Sequence, residues 1–402
     1  MRCFGPRQKI DFSDGNGKPK LWTIILGDNG TGKTTILSAL AAYFPNANLV
    51  HFFGLFGEQN LKISFLTRKF LSSINKQFKV SHKSGETDVG IKFSSDLVVR
   101  CFSAYGASRK TGASSISQQN EESAYITLFD ENASASLLNP EEWLLQTDYA
   151  SKRESEFQET RKHQLEQVQE ILIQVLPDVD EIRFSEKERG GKRISQPIVE
   201  FHTPYGWVKA KDLSLGYRTS MAWVIDFASR MFDLYPESEN PLAEPAVVLV
   251  DEIDLHLHPK WQRELLDYLS NLFPNTQFIV TTHSPLIVQA ALARDANIAV
   301  CRRDGDHVVI DQSVEALKNW RADQILTSDF FDLPSARPKE VEKWLKEKDE
   351  ILAKPKLTKK DEKRLDELEE KIGFLPVSES QADDEAMKII HDAAQWIQSQ
   401  AK

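Results

Sequence analysis

Three short runs rich in β-branched and apolar residues stand out along the chain: Trp22-Thr-Ile-Ile-Leu26, Ala246-Val-Val-Leu-Val250 and Gln277-Phe-Ile-Val-Thr-Thr282. None alternates polar with apolar, which is the pattern of strands covered on both faces, as in a parallel sheet flanked by helices. Asn297 to Arg302 and His307 to Ile310 read as a terminal strand pair. Between these runs the period changes. Thr34 to Tyr43 continues without a breaker until Pro45, and Lys260 to Phe273 puts Trp261, Leu265, Tyr268, Leu269 and Leu272 on one helical face. The alternation predicts an α/β core with a mainly parallel sheet and helices on both sides.

The middle of the chain has a different texture. Phe157, Leu165, Val168, Ile171, Leu172, Val175 and Leu176 recur at near-heptad spacing before Pro177, which predicts one amphipathic helix from Lys152 to Leu176, about 25 residues and roughly 37 Å long. Arg183 to Arg193 reads as a hairpin turning at Gly190-Gly191 and leading to a strand near Ile198 to His202. Its basic residues suit either phosphate contact or plain solvation, and Glu186 and Glu188 interrupt the basic run. Residues 337–371 carry mixed charge around Val341, Trp344, Leu345, Leu352, Leu365, Leu368 and Ile372, predicting a helical hairpin broken at Pro355. Thr358 and Asp361 resemble the capping pair of its second arm. A linker from Phe374 to about Glu385 and a short helix from Ala386 to Ile397 follow.

Composition narrows the setting. Charged residues at 27% and apolar residues at 41% describe a folded, water-soluble chain. No run reaches the roughly 18 apolar residues of a membrane span, and the first residues lack a secretory h-region, so the expected location is the cytoplasm, away from membrane. Cys3, Cys101 and Cys301 are scattered without metal-ligand spacing. A net charge of −10 gives no general attraction to nucleic acid.

The candidate chemistry sits at strand ends. Gly27-Asp-Asn-Gly-Thr-Gly-Lys-Thr-Thr35 fits G-x-x-x-x-G-K-[ST] between a buried strand and a helix. In such a loop the backbone N–H groups of Gly27, Asn29, Gly30, Thr31, Gly32 and Thr35 wrap phosphates, Lys33 supplies a point charge, and Thr34 ligates Mg²⁺. Val247 to Val250 delivers Asp251 and Glu252, one to hold Mg²⁺ and one to orient or deprotonate an attacking water. Thr281-Thr-His-Ser-Pro285 ends the next predicted strand, where His283 is a candidate γ-phosphate sensor, though a lone histidine is more often structural. Asp212-Leu-Ser-Leu-Gly-Tyr-Arg218 precedes an apolar helix from Met221 to Phe232; Ser214 and Gly216 suit an anion-binding helix end, and Ser214 equally suits an ordinary N-cap.

Taken in order, the P-loop, Leu213-Ser-Leu-Gly-Tyr217, Val-Asp-Glu and Thr-His-Ser-Pro resemble the ABC-type ATPase superfamily, in its soluble branch with RecF, OLD and SMC proteins. The likeness spans residues 1 to about 333. It implies ATP and Mg²⁺ as ligands and a homodimer, or higher homo-oligomer, closed as an ATP sandwich. Lys33, Thr34, Asp251, Glu252 and His283 of one subunit would then face Ser214 of the other. Leu215 and Tyr217 depart from the family signature. Asp254-Leu-His-Leu-His-Pro259 falls in the D-loop region, where alternate histidines are better read as structural than as zinc ligands. Gln118 and Gln119 are the Q-loop candidates, and Arg109 in Tyr105-Gly-Ala-Ser-Arg109 is expected to meet phosphate or a partner. The opening residues are short for this family's first strand and point to a start upstream.

The expected organisation is an ATPase lobe over 1–135, a helical insert and hairpin over 136–210, a second ATPase lobe over 211–333, and a C-terminal helical hairpin and tail over 334–402. One helix is too short for the coiled coil of an SMC protein. Asp304-Gly-Asp306 alone does not make a nuclease, so any cutting belongs to another chain. Compact ATPases of this design resemble the ATPase subunits of bacterial anti-phage systems of the Septu, retron-associated and PARIS-like kinds. There the ATPase is a sensor and scaffold that controls a separate effector, a nuclease or toxin. Two alternatives stay open: a RecF-like repair ATPase that binds DNA, and a transporter's nucleotide-binding subunit.

Overall fold

The computed structural model describes residues 4, 8, 10–14, 19–42, 101–109, 127–128, 137–189, 192–312, 320–328, 330–331, 333, 335–354 and 357–372, with the side chains of 187–196 not described. The chain divides into two compact units, Met1–Asp332 and Leu333–Lys402.

The first unit is built on a six-stranded sheet. Its strands are β1 (Trp22–Gly27), β2 (Cys101–Tyr105), β6 (Ala246–Val250), β7 (Thr276–Thr281), β8 (Asn297–Asp304) and β9 (His307–Asp311), in the order β2-β6-β7-β1-β8-β9. All neighbours are parallel except β9, which runs antiparallel to β8 as the terminal pair. The continuous apolar runs hide a period of two. Ile24, Leu26, Val248, Val250, Phe278 and Val280 pack into one core cluster, and Ile25, Leu249, Ile279 and Ala299 into the other. Helix α1 (Lys33–Ala42) covers the second face through Ile36, Leu37 and Leu40. The first face is covered by α4 (Leu215–Leu234), α5 (Pro259–Leu272) and α6 (Pro285–Ala293).

The insert departs from expectation at one place. The predicted helix is present as α3 (Gln158–Val175), which begins later than expected, and a break separates it from α2 (Pro140–Lys152), a helix that was not predicted. At 18 residues α3 is about 27 Å long. The break has a physical reason. Phe157 is 61% exposed, and Gln158 to Gln164 are all polar, so nothing ties the start of the predicted seam to Leu165, Val168, Ile171, Leu172 and Val175, which are buried. Instead α2 buries Trp143 and Leu144, upstream of the predicted helix. The hairpin is present as β3 (Glu181–Arg189) and β4 (Lys192–Thr203), joined by β5 (Gly206–Lys209) in an antiparallel sheet, while its Gly190-Gly191 turn lies outside the described residues. Ile182, Val199 and Phe201 turn one face of this sheet into the main core. A short helix α7 (Ala322–Leu326) follows the large sheet.

The second unit contains α8 (Lys339–Leu352) and α9 (Lys359–Ile372), which bury Ile351 and Leu368. Arg364 bridges to Glu347 and Lys348 to Glu369 across the pair. Thr358 and Asp361 bond reciprocally: the Thr358 hydroxyl accepts from the Asp361 N–H at 3.2 Å, and the carboxylate accepts from the Thr358 N–H at 3.0 Å. The predicted helix from Ala386 to Ile397 lies outside the described residues.

Candidate nucleotide site

The loop after β1 folds as a phosphate-sized nest. Gly30 and Gly32 adopt φ of 79° and 85°, values that side chains resist, so the backbone can wind tightly into α1. Lys33 is buried beneath the loop, its Nζ donating to the carbonyls of Gly27 at 2.8 Å and Asp28 at 3.0 Å. Burial lowers its pKa, opposed by the nearby thiol of Cys301 and by Asp251, Glu252 and Asp28. Thr31 ties the loop to itself through the Asp28 carbonyl at 2.8 Å, Asn29 lies exposed at the turn, and Thr35 is buried in the first turn of α1.

At the end of β6 the two acids take different environments. Asp251 is buried, and its Oδ2 accepts from the Thr34 hydroxyl at 2.7 Å, joining the two halves of the site across 217 residues of sequence. Glu252 is half-buried and adopts φ of 48°, an unusual conformation for a non-glycine residue. Thr281 at the end of β7 holds both acids: its hydroxyl donates to Asp251 Oδ1 and accepts the Glu252 N–H at 2.7 Å. Sequence reasoning passed over Thr281, although it opens the Thr-Thr-His-Ser-Pro segment. Because β7 lies between β1 and β6, and adjacent strands sit about 4.8 Å apart, the strands that carry the phosphate loop and the acids run roughly 10 Å apart, and the Thr34 and Asp251 side chains meet across that gap.

His283 follows β7, and its Nε2 is buried with no hydrogen-bond partner among the described residues. Ser284 caps α6, accepting from the Leu286 N–H at 3.1 Å, and donates to Gln262 on α5 at 2.6 Å. His258 serves as the N-cap of α5, and His256 has φ of 64°. Among the described residues no three His, Cys, Asp or Glu side chains cluster as a metal site. The oxygen pair Thr34 and Asp251 nevertheless fits Mg²⁺. This ion is held through one or two protein oxygens plus phosphate and water rather than by a full protein cage.

The signature segment stands apart from this cluster. Ser214 is the N-cap of α4, exposed, with its Oγ accepting from the Tyr217 N–H at 3.4 Å. Gly216 is buried, and a Cβ there would stand 2.3 Å from the His256 carbonyl oxygen, so only glycine lets the signature helix rest on the turn after β6. Tyr217 donates its hydroxyl to the Pro177 carbonyl at 2.5 Å and packs edge-on to Trp261 at 4.8 Å, which anchors the helix to the insert. Among the described residues, no hydrogen bond joins Ser214 or Gly216 to the phosphate loop of the same chain.

Arg109, expected to meet phosphate or a partner, is 7% exposed, and its guanidinium donates to backbone carbonyls of the turn after β6. Arg183 in the basic hairpin is engaged by Glu200 at 2.9 Å and stacks on Trp207 with its guanidinium carbon 3.9 Å from the ring centre, so it is not a free phosphate contact. The Q-loop candidates Gln118 and Gln119 lie outside the described residues.

The family described as "AAA domain, putative AbiEii toxin, Type IV TA system" matches residues 23–289, from β1 through His283. The chain belongs to this family. Its AAA-domain ATPase core accounts for the P-loop and the paired acids. Curated relatives include the Septu protein PtuA of Bacillus mycoides (strain KBAB4), 29% identical over 348 residues, covering 82% of this chain and 43% of that protein. The "Retron Vc95 probable ATPase" of Vibrio cholerae serotype O1 biovar El Tor is 37% identical over 131 residues, covering 33% of this chain and 24% of the relative. The "Retron Ec83 probable ATPase" of Escherichia coli is 52% identical over 75 residues, 19% of this chain and 14% of the relative. The chain thus spans less than half the length of these relatives. A solved structure entitled "Structural biochemistry of ATP-driven dimerization and DNA stimulated activation of SMC ATPases" aligns with 40% of this chain and 88% of its own at 17% identity, with a TM-score of 0.29. Among the described residues no helix is long and apolar enough to cross a membrane.

Proposed function

We propose that this AAA-domain ATPase binds ATP with Mg²⁺, hydrolyses it across a homodimer, and uses the cycle to control a separate effector, a nuclease or toxin, in bacterial antiviral defence in the cytoplasm. The observation that carries the catalytic part is that Asp251 accepts from both the Thr34 and the Thr281 hydroxyls while Thr281 also accepts the Glu252 N–H, beside buried Lys33. Gly27 to Thr35 bind the phosphates and Lys33 balances their charge. Thr34 and Asp251 hold Mg²⁺, which supplies further charge neutralisation. Glu252 orients a water and accepts its proton as the water oxygen bonds to the γ-phosphorus and the bond to the bridging oxygen breaks, releasing ADP and phosphate. The unpartnered Nε2 of His283 is available to the γ-phosphate.

The dimer reading is supported by the exposed end of α4. Ser214 and Leu215, the latter 52% exposed, lie exposed at a helix N-terminus suited to a phosphate carried by a second subunit. The effector reading is supported by the Septu and retron relatives. On this proposal the lobes 1–135 and 211–333 form the ATPase, while 136–210 and 334–402 offer partner surfaces. A RecF-like DNA-binding role draws little support from a chain of net charge −10 whose hairpin Arg183 is already paired. The test is a tagged pull-down of wild-type and Glu252→Gln protein from the native host, with mass spectrometry. A stoichiometric nuclease or toxin supports the proposal, whereas DNA with repair proteins overturns it.

A further inference from the structure

We infer that Arg109 is a positioning residue for hydrolysis: its guanidinium clamps the peptide carbonyls of Asp251 and Glu252 and so fixes the left-handed turn that aims the Glu252 carboxylate. The inference rests on the proposed role of Glu252.

The turn after β6 has to be held from outside. Its residue Glu252 adopts φ of 48° and His256 one of 64°, conformations that persist in non-glycine residues only where neighbours over-determine them. Thr281 secures the Glu252 N–H from one side. Arg109 secures the other side, its Nη2 donating to the Asp251 carbonyl and, at 2.8 Å, to the Glu252 carbonyl. These carbonyls flank the bond rotations that set where the Glu252 side chain leaves the backbone. Arg109 Nε is buried with no hydrogen-bond partner among the described residues, so the guanidinium is held here by the two carbonyl bonds.

The segment leading to Arg109 is shaped to deliver it. β2 runs beside β6 with Tyr105 opposite Val250, so the chain leaves the sheet next to the acids. Gly106 donates its N–H to the Thr127 hydroxyl at 3.2 Å, and a Cβ at Gly106 would lie 2.1 Å from the Thr127 carbonyl oxygen. Only glycine permits that approach. The chain then doubles back, with the Arg109 N–H reaching the Ala107 carbonyl at 3.0 Å. Burial pulls the guanidinium down to about 10, against the opposing pull of Asp251, Asp254 and Glu252, so it stays charged at neutral pH. A buried cation also tempers the repulsion between acids crowded into one turn.

The test compares wild type with Arg109→Met, which keeps length but removes the donors, and with Arg109→Lys, whose shorter ammonium keeps charge and part of the bonding. We expect ATP affinity, read with a fluorescent ATP analogue, to stay within about threefold while kcat falls about 100-fold in Met and about 10-fold in Lys, the scale of a misaimed catalytic group. If the Met variant does not fold, the Lys variant carries the same reading. An unchanged kcat, or a loss of affinity that keeps step with the loss of kcat, overturns the inference. Glu252→Gln is measured alongside. Turnover by Glu252→Gln at the wild-type rate overturns the role of Glu252 and this inference with it, whereas an inactive Glu252→Gln beside fully active Arg109 variants overturns the inference alone.

Discussion

One hydroxyl on Thr281 serves two acids of unequal function, and this makes it a sharper probe than the acids themselves. Replacing it with valine keeps the shape, removes the donor to Asp251 and leaves the Glu252 N–H without its acceptor. An unmatched polar group in such a place costs about 1–3 kcal/mol. Thr281→Val is therefore expected to lower stability by that amount in urea titration and to reduce ATP turnover by about 100-fold through misplaced carboxylates. Lys33 gives a different signature. Its charge is held in a buried site by the loop carbonyls, so Lys33→Ala removes the counter-charge for phosphate as well as the brace of the loop. Equilibrium binding of fluorescent ATP is expected to weaken beyond about 100-fold, a loss of binding rather than of rate.

At the scale of elements, the helix ends carry the information. The reciprocal cap of α9 depends on an ionised Asp361, whose pKa is lowered to about 2, first by Lys354, then by the Thr358 hydroxyl and N–H. A depressed carboxylate contributes stability that is complete above its unfolded value near 4 and is lost as pH falls through its folded value. Amide exchange at the start of α9 is thus expected to accelerate between about pH 4 and pH 2, and Thr358→Ala to produce the same local acceleration at neutral pH. This cap was legible as Thr358 followed by Asp361, because both partners lie within one turn. The break between α2 and α3 was not legible. Phe157 falls on the heptad seam, and only the tertiary outcome shows that it faces water while Trp143 and Leu144 fill the core.

For the whole molecule, the same rule separates what could be read from what could not. The strands β1, β6 and β7 announced themselves because burial on both faces removes the polar-apolar alternation and leaves no charged position, and each delivers its motif at its own C-terminal end. Strand order, the sharing of Thr281, and the reach of Arg109 to a turn more than 140 residues away are long-range facts that no local pattern encodes. Oligomer formation is likewise a property of the assembled molecule. Glu252→Gln is expected to bind ATP and accumulate as a dimer by size-exclusion chromatography with light scattering, while Lys33→Ala stays monomeric under the same conditions.

The place of β1 in the sheet also sets a schedule for synthesis. Its ladder partners are β7 and β8, so the phosphate loop is translated early yet borders on bare edges until Thr276 to Asp304 have been made. On a nascent chain the P-loop sequence emerges before its surroundings can form, and β1 lacks both ladder partners until β7 and β8 have followed it. Completion of the strands around the phosphate loop therefore waits on β7 and β8, and a chain interrupted before β7 leaves β1 without either ladder partner.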